Sequence, residues 1–285
     1  MSDLPADRVT SSGVFNTVQT DFAGPFFVKA SKLRNAKLLK AYLCVFVCSA
    51  SKAVHLEVVG DLVLKEFWRH LLDLRLGAAY PVQFDLIAEL ITWYFNPPGA
   101  PHFGGLFESA VKSAKSLLSR IIGEQRLTYE ELSTVFARIE AVLNSRPLCP
   151  LSHDSNEFEV LTPAHLLIGK SLLAVPEYDW DETPMSRLSR FQVVQAISQH
   201  FWRKWNNLYL HQLQMRNKWF SDANPPKVGD LVLIKEDNLP LKWRRGRIEE
   251  MLPGKDGVVR VVILRTQSGK ITRPVVKICR LPIDT

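Results

Sequence analysis

Apolar and polar residues alternate along Phe15–Phe22 (FNTVQTDF) before the chain meets Gly24-Pro25, the pattern of a strand that ends in a turn. Tyr42–Val47 is a continuous β-prone run and Ala53–Val59 (AVHLEVV) is another, with only the short, basic Ser49–Lys52 between them. These three strands predict a meander whose first two members are joined by the Lys-rich Lys29–Lys40. Lys65–Leu76 then spaces Phe67, Trp68, Leu71, Leu72 and Leu76 as one helix face does. Ile91–Phe95 reads as a short strand stopped by Asn96-Pro97-Pro98-Gly99. Past the flexible Gly104-Gly105, Leu106–Ile122 sets Ala110, Ala114, Leu117, Leu118 and Ile121 in one apolar stripe, which predicts a helix. Thr128-Tyr129-Glu130-Glu131 fits a capping box, so a second helix is expected from there to about Asn144, stopping before Pro147.

Pro150–Pro184 is a loop-rich connection with an acidic cluster, Glu177, Asp179, Asp181 and Glu182. No Pro or Gly interrupts Ser186–Trp219, which predicts a long helix. Val228–Ile234, Arg244–Met251, Val258–Arg265 and Lys270–Val276 follow as short strands between Gly-containing turns. Four or five short strands in about 60 residues suggest a small β-barrel. At 285 residues, on a prior of roughly 100–200 per domain, two domains are expected, 1–185 and 186–285.

Composition narrows the class. Hydrophobic residues at 46% and charged residues at 23% exclude a disordered or collagen-like chain. No apolar run approaches the ~20 residues that span a bilayer. Met1-Ser2-Asp3-Leu4-Pro5 lacks a basic start and an apolar stretch, so a secretory signal is not expected, and four cysteines do not make a disulfide framework. An intracellular protein is the expectation. The formal net charge of +7 is unevenly spread. Met1–Ser186 holds 17 Lys/Arg against 21 Asp/Glu, whereas Arg187–Thr285 holds 19 against 8. Such segregation points to a polyanion-binding module attached to a domain with another job.

Two carboxylates attract attention as chemistry. Asp21, in TDFAGPF, ends the first strand pattern, where a divalent metal would offset the burial of its charge; the alternative is a partly exposed strand-end Asp. Glu108 falls in the first turn of the helix after Gly104-Gly105, where the helix dipole favours an anion. Lys112 and Lys115 follow at i+4 and i+7 on the same face, able to touch phosphates while the carboxylate holds a metal. The alternative is an exposed salt-bridged face worth under ~1 kcal/mol per pair.

The stretches TDFAGPF, SKAVHLEVV, WYFNPPGAPHFGGLFESAVKSAK, LNSRPL and LTPAHLLIGK resemble the integrase of BEL/Pao-type long-terminal-repeat retrotransposons. KVGDLVLIKED, KWRRGRIEE and TRPVVKICRLP resemble the domain that follows the catalytic core in those polyproteins, and the resemblance runs from about Asp3 to Pro282. It implies an SH3-like fold for the small barrel and an α/β RNase H-like core in which two aspartates and a glutamate hold two Mg²⁺ or Mn²⁺ ions about 3.5–4 Å apart for in-line displacement at phosphorus. Asp21 matches the first aspartate, Glu108 the glutamate, and Lys112 and Lys115 the helix face that lies along DNA. Element ends and target DNA are the implied partners, with a homo-oligomer on DNA ends and a nuclear site of action.

The second aspartate has no matching context. The family sets it in a stretch resembling Ser-Asp-Asn-Gly-Thr-Asn-Phe, and none lies between Val59 and Trp93, where only Asp61, Asp73 and Asp85 occur. Asp85 follows a short strand pattern, Pro81–Phe84, and is the nearest substitute, without the Asn-Gly turn that would present it. A central strand and a ligand are therefore expected to be missing, with strand transfer impaired. Such integrases usually begin with a His/Cys zinc-binding domain, and the resemblance here starts past it. Cys44 and Cys48 sit four apart on a strand, and His55, His70, His102 and His153 are scattered, so core cysteines and no zinc are expected. The DNA-binding case is stronger than the catalytic one. Lys242, Trp243, Arg244, Arg245 and Arg247 interleave an aromatic with cations on the expected barrel. Arg203, Lys204, Arg216 and Lys218 add charge to the preceding helix, whose Phe201, Trp202, Trp205, Leu208 and Leu213 read as packing residues. Six phosphate contacts would give a log–log salt slope near −5.

Overall fold

Val18–Lys29 (β1), Leu38–Cys48 (β2) and Val54–Val59 (β3) form a three-stranded antiparallel meander with β2 in the middle. The computed structural model describes residues 13–33, 35–60, 110–123, 125–152, 154, 156–214, 226–236 and 238–281. A strand covered on both faces reads as a continuous apolar run, and Ala41 and Leu43 through Cys48 are all buried. The strand expected to stop at Gly24-Pro25 continues to Lys29. The dipeptide, joined by a cis bond, is taken up as a bulge where the β1–β2 register slips between Ala23 and Phe26. Gly24 has φ +132, and a Cβ there would lie 3.2 Å from the Tyr42 ring, so only glycine fits. The turn between β2 and β3 works without glycine: Lys52 takes φ +58, and its ammonium donates to Ser49 O at 2.6 Å.

Ala110–Ile122 (α1) buries Leu117, Leu118 and Ile122. Tyr129–Asn144 (α2) starts as its sequence predicts. The Thr128 N–H donates to Glu131 Oε2 at 2.8 Å, and the Glu131 N–H returns to Thr128 Oγ1 at 3.3 Å. Its buried face comprises Leu132, Val135, Phe136, Ile139, Val142 and Leu143, each contributing about 1.5–3 kcal/mol by leaving water. Phe136 meets Phe26 of β1 edge-on at 5.7 Å, and Tyr129 Oη donates to Val58 O at 2.6 Å, which docks α2 on the meander.

Cys149–Pro150 (β4) and Val160–Leu161 (β5) pair as a short ribbon before Pro163–Ile168 (α3). The LTPAHLLIGK stretch is a complete helix signal. Thr162 caps α3 through His165, whose Nδ1 lies 2.8 Å from Thr162 Oγ1, Pro163 takes the first turn, and Gly169 closes it at φ +72. After a 3₁₀ turn at Met185–Arg187 comes Arg190–Leu213 (α4). Its buried stripe runs Val193, Val194, Ile197, Phe201, Trp202, Trp205, Tyr209 and Leu210, whereas Leu208, expected on that face, is exposed.

Leu231–Ile234 (β6), Arg245–Pro253 (β7), Val259–Thr266 (β8), Gly269–Pro274 (β9) and Ile278–Arg280 (β10) make a five-stranded antiparallel sheet in the order β10–β6–β7–β8–β9. A 3₁₀ turn, Val275–Lys277, precedes β10. Strand alternation splits β6 between two cores. Leu231 and Leu233 pack with Val160, Leu210, Cys279 and Leu281, while Val232 and Ile234 pack with Ile248, Val262, Leu264 and Ile278.

The chain divides into two compact units, Met1–Leu143 with Trp180–Phe201, and Asn144–Asp179 with Trp202–Thr285, so α4 contributes to both. The helix expected over 65–76, the strands over 81–84 and 91–95, Asp61, Asp73, Asp85, Glu108, His70, His102, His153, Arg216, Lys218 and Trp219 lie outside the described residues.

Candidate functional site: the Asp21 carboxylate and a basic groove

In the first unit β1 carries Asp21 opposite Val45, its side chain 53% exposed. Oδ1 accepts the Phe22 N–H at 2.8 Å, and Oδ2 takes the ammonium of Lys115 from α1. That ammonium also donates to Phe22 O at 3.3 Å, and the Lys115 side chain is only 14% exposed. Two sequence candidates, Asp21 and Lys115, are thus brought together as an ion pair. Lys112 lies on α1, and Glu108 is outside the described residues.

Among the described residues no group of three or more His, Cys, Asp or Glu converges, and the carboxylate of Asp21 already has a cation on it. Of the carboxylates expected to hold metal, only Asp21 is among the described residues. Burial pushes the Cys44 thiol up to about 12 and, in the second unit, Cys279 up to about 11. At Cys48 burial is outweighed by hydrogen bonds with Ser51, Phe15 and Ala50, which hold the thiol below its ordinary value. All four cysteines are unbridged. His55 on β3 is likewise committed. Its Nδ1 lies 3.0 Å from Glu140 Oε2 of α2, and its Nε2 lies 3.5 Å from Glu57 Oε2. Burial alone would lower its pKa, but the two carboxylates overcome burial and push it up to about 9. A protonated imidazole has no lone pair for a metal, so His55 acts as a cation that ties α2 to β3. No local pattern in the sequence pairs His55 with a glutamate 85 residues later.

In the second unit the basic run 242–247 has several fates. Arg247, buried at 8% exposure, donates to Glu157 O at 2.9 and 3.0 Å, Gly229 O at 2.9 Å and Asp154 O at 2.5 Å. Its guanidinium is spent on four backbone contacts inside the fold, so it is not a DNA-facing group. Trp243, expected to stack on bases, packs edge-on against Trp202 at 4.8 Å, Tyr209 at 5.6 Å and Trp205 at 6.0 Å. Its indole N–H donates to Ser145 Oγ at 3.1 Å, which makes it an anchor of the α4 aromatic cluster. The reading of Trp202 and Trp205 as packing residues holds.

Arg244 pairs with Glu236, whose other oxygen is 3.0 Å from Arg273 Nε. Burial opposes ionisation of that carboxyl, but hydrogen bonds from Arg273 and Arg244 hold it below its ordinary range. Two guanidiniums on one carboxylate leave a net positive charge. Arg245 is half-buried, burial weakening its hold on its proton and Glu159 acting the other way. Lys242 is exposed.

These side chains rim an open cavity of about 620 Å³ between the connection at 235–244 and the turn at 267–268, with Phe158, Asn238, Thr266, Gln267 and Ser268 completing it. A smaller cavity of about 200 Å³, lined by Ser145, Glu159 and His165 among others, shares Leu241, Trp243 and Arg245 with it. Phe158 and Gln267 were not legible as site residues: one lies 84 positions before the basic run and the other in a turn with no motif of its own.

A profile of a family described as a family of unknown function (DUF5641) matches residues 189–281. No curated protein matches. Among solved structures, the chain is similar to a chain in the cryo-EM structure of the simian T-cell lymphotropic virus intasome in complex with PP2A regulatory subunit B56 gamma. The match has 16% identity and a TM-score of 0.34, covering 94% of this chain and 79% of that one. No helix among the described residues is long and apolar enough to cross a membrane.

Proposed function

We propose that this chain is an integrase-related nucleic-acid-binding protein of the BEL/Pao type, with an RNase H-like first unit and an SH3-like barrel in the second. The observation that carries the reading is the cation-rimmed groove of Lys242, Arg244 and Arg245 in the last third of the chain, which holds the whole basic excess. The strand order β10–β6–β7–β8–β9 with a 3₁₀ turn before β10 supports the barrel reading, and the β1–β2–β3 meander followed by α1 supports the RNase H-like one. DNA ends and target DNA are the proposed ligands, self-association and action in the nucleus follow from that substrate, and no zinc is required.

Polynucleotidyl transfer, for which Asp21 and Glu108 would hold Mg²⁺ or Mn²⁺, is impaired in this reading. The absent second-aspartate context and the Lys115 ammonium on Asp21 both support that, and they favour a second reading, a non-catalytic DNA-binding or chromatin-associated protein derived from an integrase. A strand-transfer assay in Mg²⁺ or Mn²⁺ with Asp21→Asn and Glu108→Gln separates the two. No product alongside salt-sensitive DNA binding is expected; product that both substitutions abolish would restore the enzyme reading.

A further inference from the structure

We propose that the groove between the connection at 235–244 and the turn at 267–268 is a binding site for an unpaired nucleotide. The inference rests on the nucleic-acid reading above and specifies which part of the nucleic acid the groove takes. An intact duplex keeps its base faces stacked and offers phosphates on its outside, so a surface for duplex alone needs cations but no aromatic wall. This cavity combines the two. Lys242, Arg244 and Arg245 supply charge for a phosphate, the half-buried Phe158 supplies an aromatic wall for a base to pack on, and the exposed Gln267 supplies an amide for a base edge. Its volume of about 620 Å³ lies within the range of small-ligand pockets, roughly 300–1,000 Å³. Arg265 sits over the Phe158 ring, 5.7 Å from its centroid, and fixes that ring in place.

The backbone gives an independent reason. Leu241, which lines the groove, takes φ +65, a left-handed conformation that a bulky non-glycine residue adopts only when its surroundings impose it. The surroundings are on hand. Asn238 O accepts the Trp202 indole N–H at 2.6 Å, and the Lys242 N–H donates back to Leu239 O at 3.2 Å. The connection is thus held in a strained shape that sets Lys242 at the rim of the groove. Strain of this kind concentrates at ligand-binding turns, and a net cationic rim beside a half-buried guanidinium has most to gain from an anion.

The test is fluorescence anisotropy of the full chain with three DNA probes matched in phosphate number: a blunt duplex, a duplex with an unpaired overhang, and a single strand. The overhang and the single strand should bind about tenfold more tightly than the blunt duplex. Gln267→Ala and Phe158→Ala should remove most of that preference. Phe158 also packs against a core cluster, so the exposed Gln267 carries the test if the Phe158 variant unfolds. Equal binding of all three probes, or a preference that survives Gln267→Ala, overturns the proposal while the nucleic-acid reading stands. Binding of no probe overturns both.

Discussion

In the first unit, Asp21 and Lys115 are 94 residues apart in sequence and are brought into contact by the packing of α1 against β1. In the second unit, Lys242, Trp243, Arg244, Arg245 and Arg247 are near neighbours in sequence, and the fold sends them to separate places: solvent, an aromatic cluster, an ion pair, a half-buried rim and a cage of carbonyls. The first case shows a partnership that no local pattern predicts. The second shows that a shared stretch of sequence is not a shared role, because a turn followed by a strand points successive side chains in different directions. A cation's function is decided by what it is already bonded to. Arg247 has four carbonyl contacts and holds the fold, while exposed Lys242 is available to a ligand.

The contrast within the second unit breaks most sharply at Arg247 and Trp243. Arg247→Ala removes the guanidinium donors from the Glu157, Gly229 and Asp154 carbonyls and should destabilise the unit by about 3 kcal/mol, read as a lower urea midpoint. Trp243→Ala opens a hole among Trp202, Trp205 and Tyr209 and should cost about 3–5 kcal/mol in the same measurement. If either variant kept full stability and lost only DNA affinity, the assignment of these residues to the fold would be wrong.

A pH titration sharpens the picture of the first unit. The folded-state pKa of His55, raised to about 9, exceeds its unfolded value near 6.5, so the folded protein binds that proton more tightly. The stabilisation is fully present below about pH 6.5 and is lost as pH rises through about 9, on the order of 3 kcal/mol. Urea midpoints should fall across that window, and His55→Gln should flatten the fall. A midpoint that rises with pH there would contradict the clamp of His55 between Glu57 and Glu140.

The surface cations should have smaller effects. Lys242→Ala should leave stability within about 0.5 kcal/mol and reduce the magnitude of the salt slope for DNA binding by about 0.9 on duplex. Lys115→Ala removes a pair whose carboxylate is half exposed, and should shift stability by no more than about 1 kcal/mol. A much larger loss would mark Lys115 as a core element of the first unit.

Much of the architecture was legible because it rests on local chemistry. The capping box at Thr128, the continuous run in β2 and the Thr-Pro start of α3 each fix their element through neighbours within a few residues. Gly24-Pro25 misled because turn residues at a bulge carry the same signal as turn residues at a strand end, and only the partner strand decides between them. Trp243 and Arg247 misled for a related reason. An aromatic among arginines suits both DNA and a core, and the deciding partners, Trp202 on α4 and the carbonyls at 154 and 157, are distant in sequence. The groove was half legible: its cations are a visible cluster, while Phe158, Gln267 and the strained Leu241 come from elsewhere in the chain.

The account stands on nucleic-acid binding by the basic unit, and the most direct test is equilibrium binding of the full chain to duplex DNA over a series of salt concentrations. With Arg247 withdrawn into the fold, the three groove cations alone give a log–log slope of about −3, and further contacts from the basic last third would steepen it toward −5. A slope in that range is the predicted result. A slope near zero, or no binding at low salt, would contradict the account.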